Sequence, residues 1–298
     1  MDAAGGVTLA VPCRADEPAL GETLAGFHDA WRAALATAAR ALACVVCVNG
    51  PGAERAPVLE QVRAFAASGA PAVRVLPTER AGKAIAWTLL RAAVATPVVI
   101  FLDADVRITS GTPARLLDAL AAHPSAVLAT PRTRCTARPT AFERVMAAPY
   151  GVAFPNLSGQ LYAARTAGLP TAMPEDLIEP ERWLELVVGC ERVVPAPGAE
   201  VYVRLPGTLR DFFRQRIRIE MGKVQLAHEY PSLLGRSAPQ PRARAVLRTL
   251  PPAELVRLGA YLTLREVAHA LAWWRYRQGR TAGVWVQAAS TKDWGGGR

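Results

Sequence analysis

Two rhythms of apolar and polar positions alternate along the first hundred residues. Short apolar or β-branched runs at Val7–Val11, Cys44–Val48, Val73–Leu76 and Val98–Leu102 close on polar or turn residues and predict strands. Between them Ala19–Ala38, Ala56–Ala67 and Lys83–Val94 are rich in Ala, Leu and Arg and predict helices. Such alternation makes βαβ units, so the expected class is α/β, a mostly parallel sheet flanked by helices. Ligands in these sheets bind at the carboxyl ends of the strands. Pro12–Glu17, Asn49-Gly50 and Asp103-Ala-Asp105 stand there.

Past Ile108 the texture changes. A helix over Pro113–Ala122, a strand over Ala126–Thr130, a basic loop Pro131–Pro139 and a short helix Thr140–Ala148 are expected. Leu157–Ala164 reads as another strand, Met173–Trp183 as a polar loop entering a helix, and Val193–Val203 as extended chain. A long helix over Thr208–Ala227 places Arg210, Arg214 and Arg218 on one face. Gly235–Ala243, rich in Pro, Arg and Ser, reads as a linker, which sets one domain at 1–234 and a helical C-terminal extension within 235–298. The last helix, Ala253–Arg277, carries an apolar stripe of Val256, Ala260, Leu264, Val267, Leu271 and Trp274. That stripe either docks on the protein's own core or lies on an anionic membrane surface, with Trp273, Trp274 and Tyr276 at headgroup level.

The net charge of +10 points to an anionic partner such as a phosphate, a nucleotide or an acidic membrane. Aromatic residues are few in the basic segments and no nucleic-acid motif occurs, so no nucleic-acid partner is expected. No apolar run is long enough to predict a membrane-spanning helix. The start of the chain has neither the basic nor the apolar region of a secretory signal, and the five cysteines are scattered. Those features fit a reducing, cytoplasmic setting, including the inner face of a membrane. Cys44 and Cys47 form a CxxC inside a β-branched run and are expected to be buried apolar residues rather than ligands.

The most telling stretch is V99-I-F-L-D-A-D105. Asp103 and Asp105 are two residues apart and leave an extended chain on the same side. Two carboxylates beside an apolar strand require a cation nearby, a basic side chain or a metal. Oxygen ligands next to a loop suit Mg²⁺ or Mn²⁺, which complete their shell with substrate phosphates. Lys83, in R80-A-G-K-A-I-A86, sits at a helix start, and Gln215, Arg216 and Arg218 in Q215-R-I-R218 can clamp a diphosphate.

Taken in order, V7-T-L-A-V-P…D-E, V48-N-G, R80-A-G-K, F101-L-D-A-D, L157-S-G-Q-L-Y-A and Q215-R-I-R resemble the inverting family 2 glycosyltransferases of GT-A fold, over about Val7 to Val224. The resemblance implies transfer of a sugar from a nucleoside-diphosphate sugar to an acceptor hydroxyl, with Mn²⁺ or Mg²⁺ on Asp103 and Asp105. It places Asp16 or Glu17, and Asn49, at the base and ribose, and Ser158-Gly159-Gln160 at the acceptor floor. The family's catalytic Glu-Asp pair corresponds to Pro180-Glu181, making Glu181 the expected general base, with Glu179, Glu175 and Asp176 as alternatives. Ile219 replaces the tryptophan of the processive motif, which implies single addition. A lipid-linked acceptor and peripheral membrane association are further expectations. Two other readings remain at this point: a non-catalytic nucleotide-sugar-binding scaffold, and a nucleotidyltransferase that makes a nucleotide-sugar.

Overall fold

An apolar strand satisfies its backbone polar groups only by pairing, and the first-half runs pair with one another. In this computed structural model, residues 6–35, 41–136, 140–151, 157–235 and 250–279 are described. β1 (Val7–Arg14), β2 (Leu42–Asn49), β3 (Val73–Thr78) and β4 (Val98–Leu102) lie parallel in the order β3-β2-β1-β4. α1 (Leu20–Leu35), α2 (Ala56–Ala67) and α3 (Lys83–Ala93) connect them. Every residue of β4 is buried, as expected of a central strand covered on both faces. Because β1, β2 and β4 run the same way, their carboxyl ends share one edge of the sheet. Asp16, Asn49 and Asp103 therefore share that edge.

Beyond β4 the sheet continues with the opposite sense. β5 (Arg107–Ile108), α4 (Thr112–Ala122), β6 (Leu128–Cys135), α5 (Ala141–Ala147), β7 (Leu161–Arg165), α6 (Pro180–Val188) and β8 (Val193–Val203) follow along the chain. The eight strands are ordered β3-β2-β1-β4-β7-β6-β8-β5, with β7 antiparallel to both β4 and β6, and β5 antiparallel to β8. Parallel pairing thus governs one half of the sheet. The expected strand at Leu157 begins only at Leu161, because residues 158–160 turn past the tip of β4. There the Asp103 amide donates to the Gln160 carbonyl at 2.8 Å.

The chain divides into two units: Met1–Thr133 with Pro155–Asp176 and Pro180–Tyr202, and Arg134–Phe154 with Leu177–Glu179 and Val203–Arg298. This differs from the boundary at 234 read from the sequence. α7 (Leu209–Glu229), α8 (Pro231–Leu234) and α9 (Pro252–Arg277) all belong to the second unit. The predicted linker after Gly235 and the ends of the loop before Thr140 and of the first helix lie outside the described residues.

Within the second unit α9 docks on α7 by a face other than the predicted stripe. Ala268 and Ala272 pack on Ile217 and Met221, and Tyr261 packs with Phe212, Leu205 and Met146. Two alanines let the helix axes approach closely, so contact rather than side-chain size selects this face. Of the stripe only Leu264 turns inward, while Val256, Ala260, Val267, Leu271 and Trp274 face outward. Among the described residues no helix is long and apolar enough to cross a membrane.

Candidate active site

The site is built where β4 ends. Ala104 and Val106 are buried while Asp103 and Asp105 are partly exposed, so the two carboxylates point away from the core together. The turn is fixed from behind by Thr23 of α1. Its buried hydroxyl is 2.9 Å from the Ala104 carbonyl and 3.2 Å from the Val106 carbonyl. Nothing in the sequence singles out this threonine; it is one helix hydroxyl among many.

Lys83 supplies a cation to Asp103. Its Nζ lies 2.6 Å from Asp103 Oδ1, 2.5 Å from Glu181 Oε1 and 2.7 Å from the Gly159 carbonyl. A lysine at the first position of α3 opposes the helix dipole, and the two carboxylates offset that cost. Gly82, just before it, has φ +151°, a region closed to most side chains, which lets the chain turn into the helix there. Glu181 arrives from the first turn of α6, behind Pro180, whose missing N–H and fixed φ suit a helix start. The proline that replaces the family's acidic residue is thus a helix-start residue, and Glu181 still reaches the cluster. Behind it, Trp87, Phe101 and Tyr162 stack at 5.4 and 5.2 Å, with the Trp87 indole donating to the Tyr162 hydroxyl at 2.7 Å.

Electrostatics follow from this crowding. Burial, then the Glu181 and Asp105 charges, push the Asp103 carboxyl up to about 7 against the pull of Lys83. Burial alone would lower the Lys83 ammonium, yet Asp103 and Glu181 outweigh it and hold the lysine above its ordinary value. Tyr162 is raised well above its ordinary value, first by burial and then by the Glu181 charge.

The expected base and ribose contacts have distinct environments. Asp16 is exposed and forms a bidentate pair with Arg14, both contacts 2.8 Å. Glu17 is buried and accepts the Ala19 amide at 3.1 Å, at the start of α1. Asn49 is only 2% exposed, donating to the Cys13 carbonyl at 2.8 Å and accepting the Gly82 amide at 3.4 Å. Its amide is a tie between strand ends and the α3 start, while Asp16 is the member of the set that faces outward. Ser158 and Gln160 are linked at 3.2 Å, and Thr133 lies 3.2 Å from the Ser158 hydroxyl.

Other expected participants have local roles. Glu175 pairs with Arg80 on the surface. Glu179 belongs to the second unit, where it lies over Gly222: a Cβ there would fall 2.5 Å from the Glu179 Cγ. Gln215, Arg216 and Arg218 are on α7 in that second unit. Arg216 is held there at 3.0 Å from Glu220, with its guanidinium 5.7 Å from the Tyr261 ring centre.

Among the described residues no group of three His, Cys, Asp or Glu side chains is placed to hold a metal alone. The donor set at the β4 tip nevertheless fits a hard divalent ion. Two carboxylates on one side of a turn supply oxygens, and phosphates and water take the remaining positions. Cys44 and Cys47 are buried, and burial pushes their thiols up to about 12 and about 11, which makes them poor thiolates.

The model of the family described as Glycosyl transferase family 2 matches residues 9–170. Among curated proteins no sequence relative matches the chain. Among solved structures, the mannosyltransferase PcManGT from Pyrobaculum calidifontis, in complex with GDP-Man and Mn²⁺, is similar. It shares 21% identity and a TM-score of 0.59, with 98% of this chain and 88% of that one covered. Glucosyl-3-phosphoglycerate synthase from Mycobacterium tuberculosis, in complex with Mg²⁺ and UDP, shares 18% identity and a TM-score of 0.51, over 78% of this chain and 81% of that one. These likenesses show a common GT-A fold, and the family match covers more than half of the sequence. The chain therefore belongs to glycosyl transferase family 2 and is a glycosyltransferase of GT-A fold.

Proposed function

We propose that the protein moves one sugar from a nucleoside-diphosphate sugar to an acceptor hydroxyl, with inversion at the anomeric carbon. One observation carries this reading: Asp103, Lys83 and Glu181 converge within hydrogen-bond distance at the carboxyl edge of the parallel strands. Asp105, together with Asp103, would hold Mg²⁺ or Mn²⁺. Bound there, such an ion neutralises charge developing on the departing diphosphate. Both similar structures contain a divalent ion with a nucleotide ligand, which supports the same use here.

Glu181 is the base. As the acceptor oxygen attacks, its proton passes to the Glu181 carboxylate, the new carbon–oxygen bond forms, and the bond to the diphosphate breaks on the opposite face. Lys83 serves both ends of that event. Without donor it is shared by Asp103 and Glu181. A bound diphosphate competes for the ammonium, and Glu181 is released to face the acceptor. Asp16, exposed beside β1, contacts the nucleoside, while Asn49 holds the backbone of that subsite.

The test is donor consumption across a panel of nucleotide-sugars with Mn²⁺ or Mg²⁺, wild type against Asp105→Ala. Metal-dependent turnover that disappears in the variant is expected. Binding without turnover would favour a nucleotide-sugar-binding scaffold. Pyrophosphate release from a nucleoside triphosphate would favour a nucleotidyltransferase.

A further inference from the structure

The second unit holds a helix that is apolar on two sides. One side of α9 is used inside the unit, through Tyr261, Ala268 and Ala272. The other is exposed. Val256, Val267, Leu271, Trp273 and Trp274 are 38–74% accessible. Val256, Ala260, Val267, Leu271 and Trp274 recur at helical spacing, and no charged residue interrupts them on that face. A helix that only caps a soluble unit has no use for such a face, since each large apolar side chain left in water forgoes its burial free energy.

Charge decides what covers it. Arg275 and Arg277 stand at the Trp-rich end of the stripe, and among the described residues neither has a carboxylate partner. Arg277 lies 4.7 Å from the Trp273 ring centre, so cation and aromatic form one amphipathic edge. In the sequence just before α9, Arg236, Arg242, Arg244 and Arg248 occur with no acidic residue between Gly235 and Pro251. Glu254 and Glu266 of α9 are each paired with an arginine of the same helix, Arg257 and Arg265, so the net charge of the helix stays positive. An apolar stripe with tryptophans and a net basic margin matches the boundary of an anionic bilayer, where rings sit among headgroups and arginines meet phosphates. A second copy of the chain would bring the same positive charge to the same place and fits worse.

We infer that α9 is an in-plane docking surface for an anionic lipid bilayer, seated by Val267, Leu271, Trp273 and Trp274 and steered by arginine. This concerns the second unit alone and stands whether or not the transfer chemistry above is right. The experiment is co-sedimentation of the full chain with vesicles of phosphatidylcholine, with and without about one-third phosphatidylglycerol. It is run for wild type, the Leu271→Asp/Trp274→Asp variant and the Arg275→Glu/Arg277→Glu variant.

Wild type is expected to bind the anionic vesicles and to release in high salt. The apolar-face variant should lose at least roughly tenfold in partitioning, from two unburied side chains. The arginine variant should lose affinity for anionic vesicles only. Circular dichroism of each variant confirms folding, which exposed positions should preserve. Wild type that ignores vesicles, or binds them unchanged after Leu271→Asp/Trp274→Asp, overturns the proposal. A concentration-dependent dimer dissolved by that variant, without vesicle binding, overturns it in favour of self-association.

Discussion

Removing the Lys83 ammonium should expose how strongly the site depends on it. In Lys83→Met the side chain keeps its length but the carboxylates of Asp103 and Glu181 lose their shared partner. Their nearest oxygens lie 2.6 and 2.5 Å from one nitrogen, so they are at most about 5 Å apart; at an effective dielectric near 20 their repulsion is about 3 kcal/mol when both are ionised. Both side chains are mostly buried, so solvent screens little of it. Asp103, already pushed up to about 7, escapes that repulsion near neutral pH by taking a proton, so the full loss is read at about pH 9. Thermal denaturation in EDTA should show Tm falling by roughly 6–12 °C, the shift about 3 kcal/mol produces in a chain of this order of size. The decisive comparison is Lys83→Met with Glu181→Gln added. Removing one negative charge should recover more than half of the loss, whereas Glu181→Gln in the wild-type background should destabilise. Losses that simply add, within about 0.5 kcal/mol, would refute the shared-cation geometry.

Further outcomes follow from the same contacts. Glu181→Gln should abolish sugar transfer while leaving donor affinity, measured by calorimetry, within a few-fold of wild type; Glu181→Asp should keep measurable turnover. Thr23→Val removes the hydroxyl behind the β4 turn without changing its shape. It should cost about 1–3 kcal/mol in urea unfolding, because two buried carbonyls lose a donor. In the second unit, burial raises Glu220, but Lys223, Arg216 and His269 outweigh it and hold the carboxyl below its ordinary 4.5. A carboxyl lowered on folding stabilises above its unfolded value and ceases to do so as pH falls through the folded one. Glu220→Gln should therefore be less stable than wild type at neutral pH, and the two stability curves should converge in acid.

Much of the parallel half was legible because it needs only local information. β-branched runs ending in polar residues are long enough to mark strands, and Val98–Leu102 and Ala56–Ala67 appear with the bounds the pattern implied. The antiparallel half depends on distant partners. Ser158–Gln160 reads as strand by composition, yet only one bond of the ladder, from the Asp103 amide to the Gln160 carbonyl, extends past Leu161 before the chain bends away. At the site, the sequence argued that Asp103 and Asp105 need a cation, and Lys83 was among the candidates for phosphate. That one lysine also reaches Glu181 could not be read, since it depends on how α3 and α6 are brought together. Asn49 reads as a ligand contact, and in the fold its amide also ties the Cys13 carbonyl to the Gly82 amide, which spacing alone does not reveal. For α9 the stripe left two placements open, and the structure docks the helix through two alanines and leaves most of the stripe outward, a choice that depends on how closely α7 is approached.

The central claim is that the tip of β4 receives a divalent ion together with the donor's diphosphate. Anomalous diffraction from crystals soaked with Mn²⁺ and a nucleoside diphosphate tests it directly. The expected result is a manganese peak about 2.1 Å from an Asp105 carboxylate oxygen and bridged to the diphosphate, a spacing typical of small hard divalent ions. A nucleotide bound elsewhere, or a metal that avoids Asp105 while Lys83 stays on both Asp103 and Glu181, would contradict it.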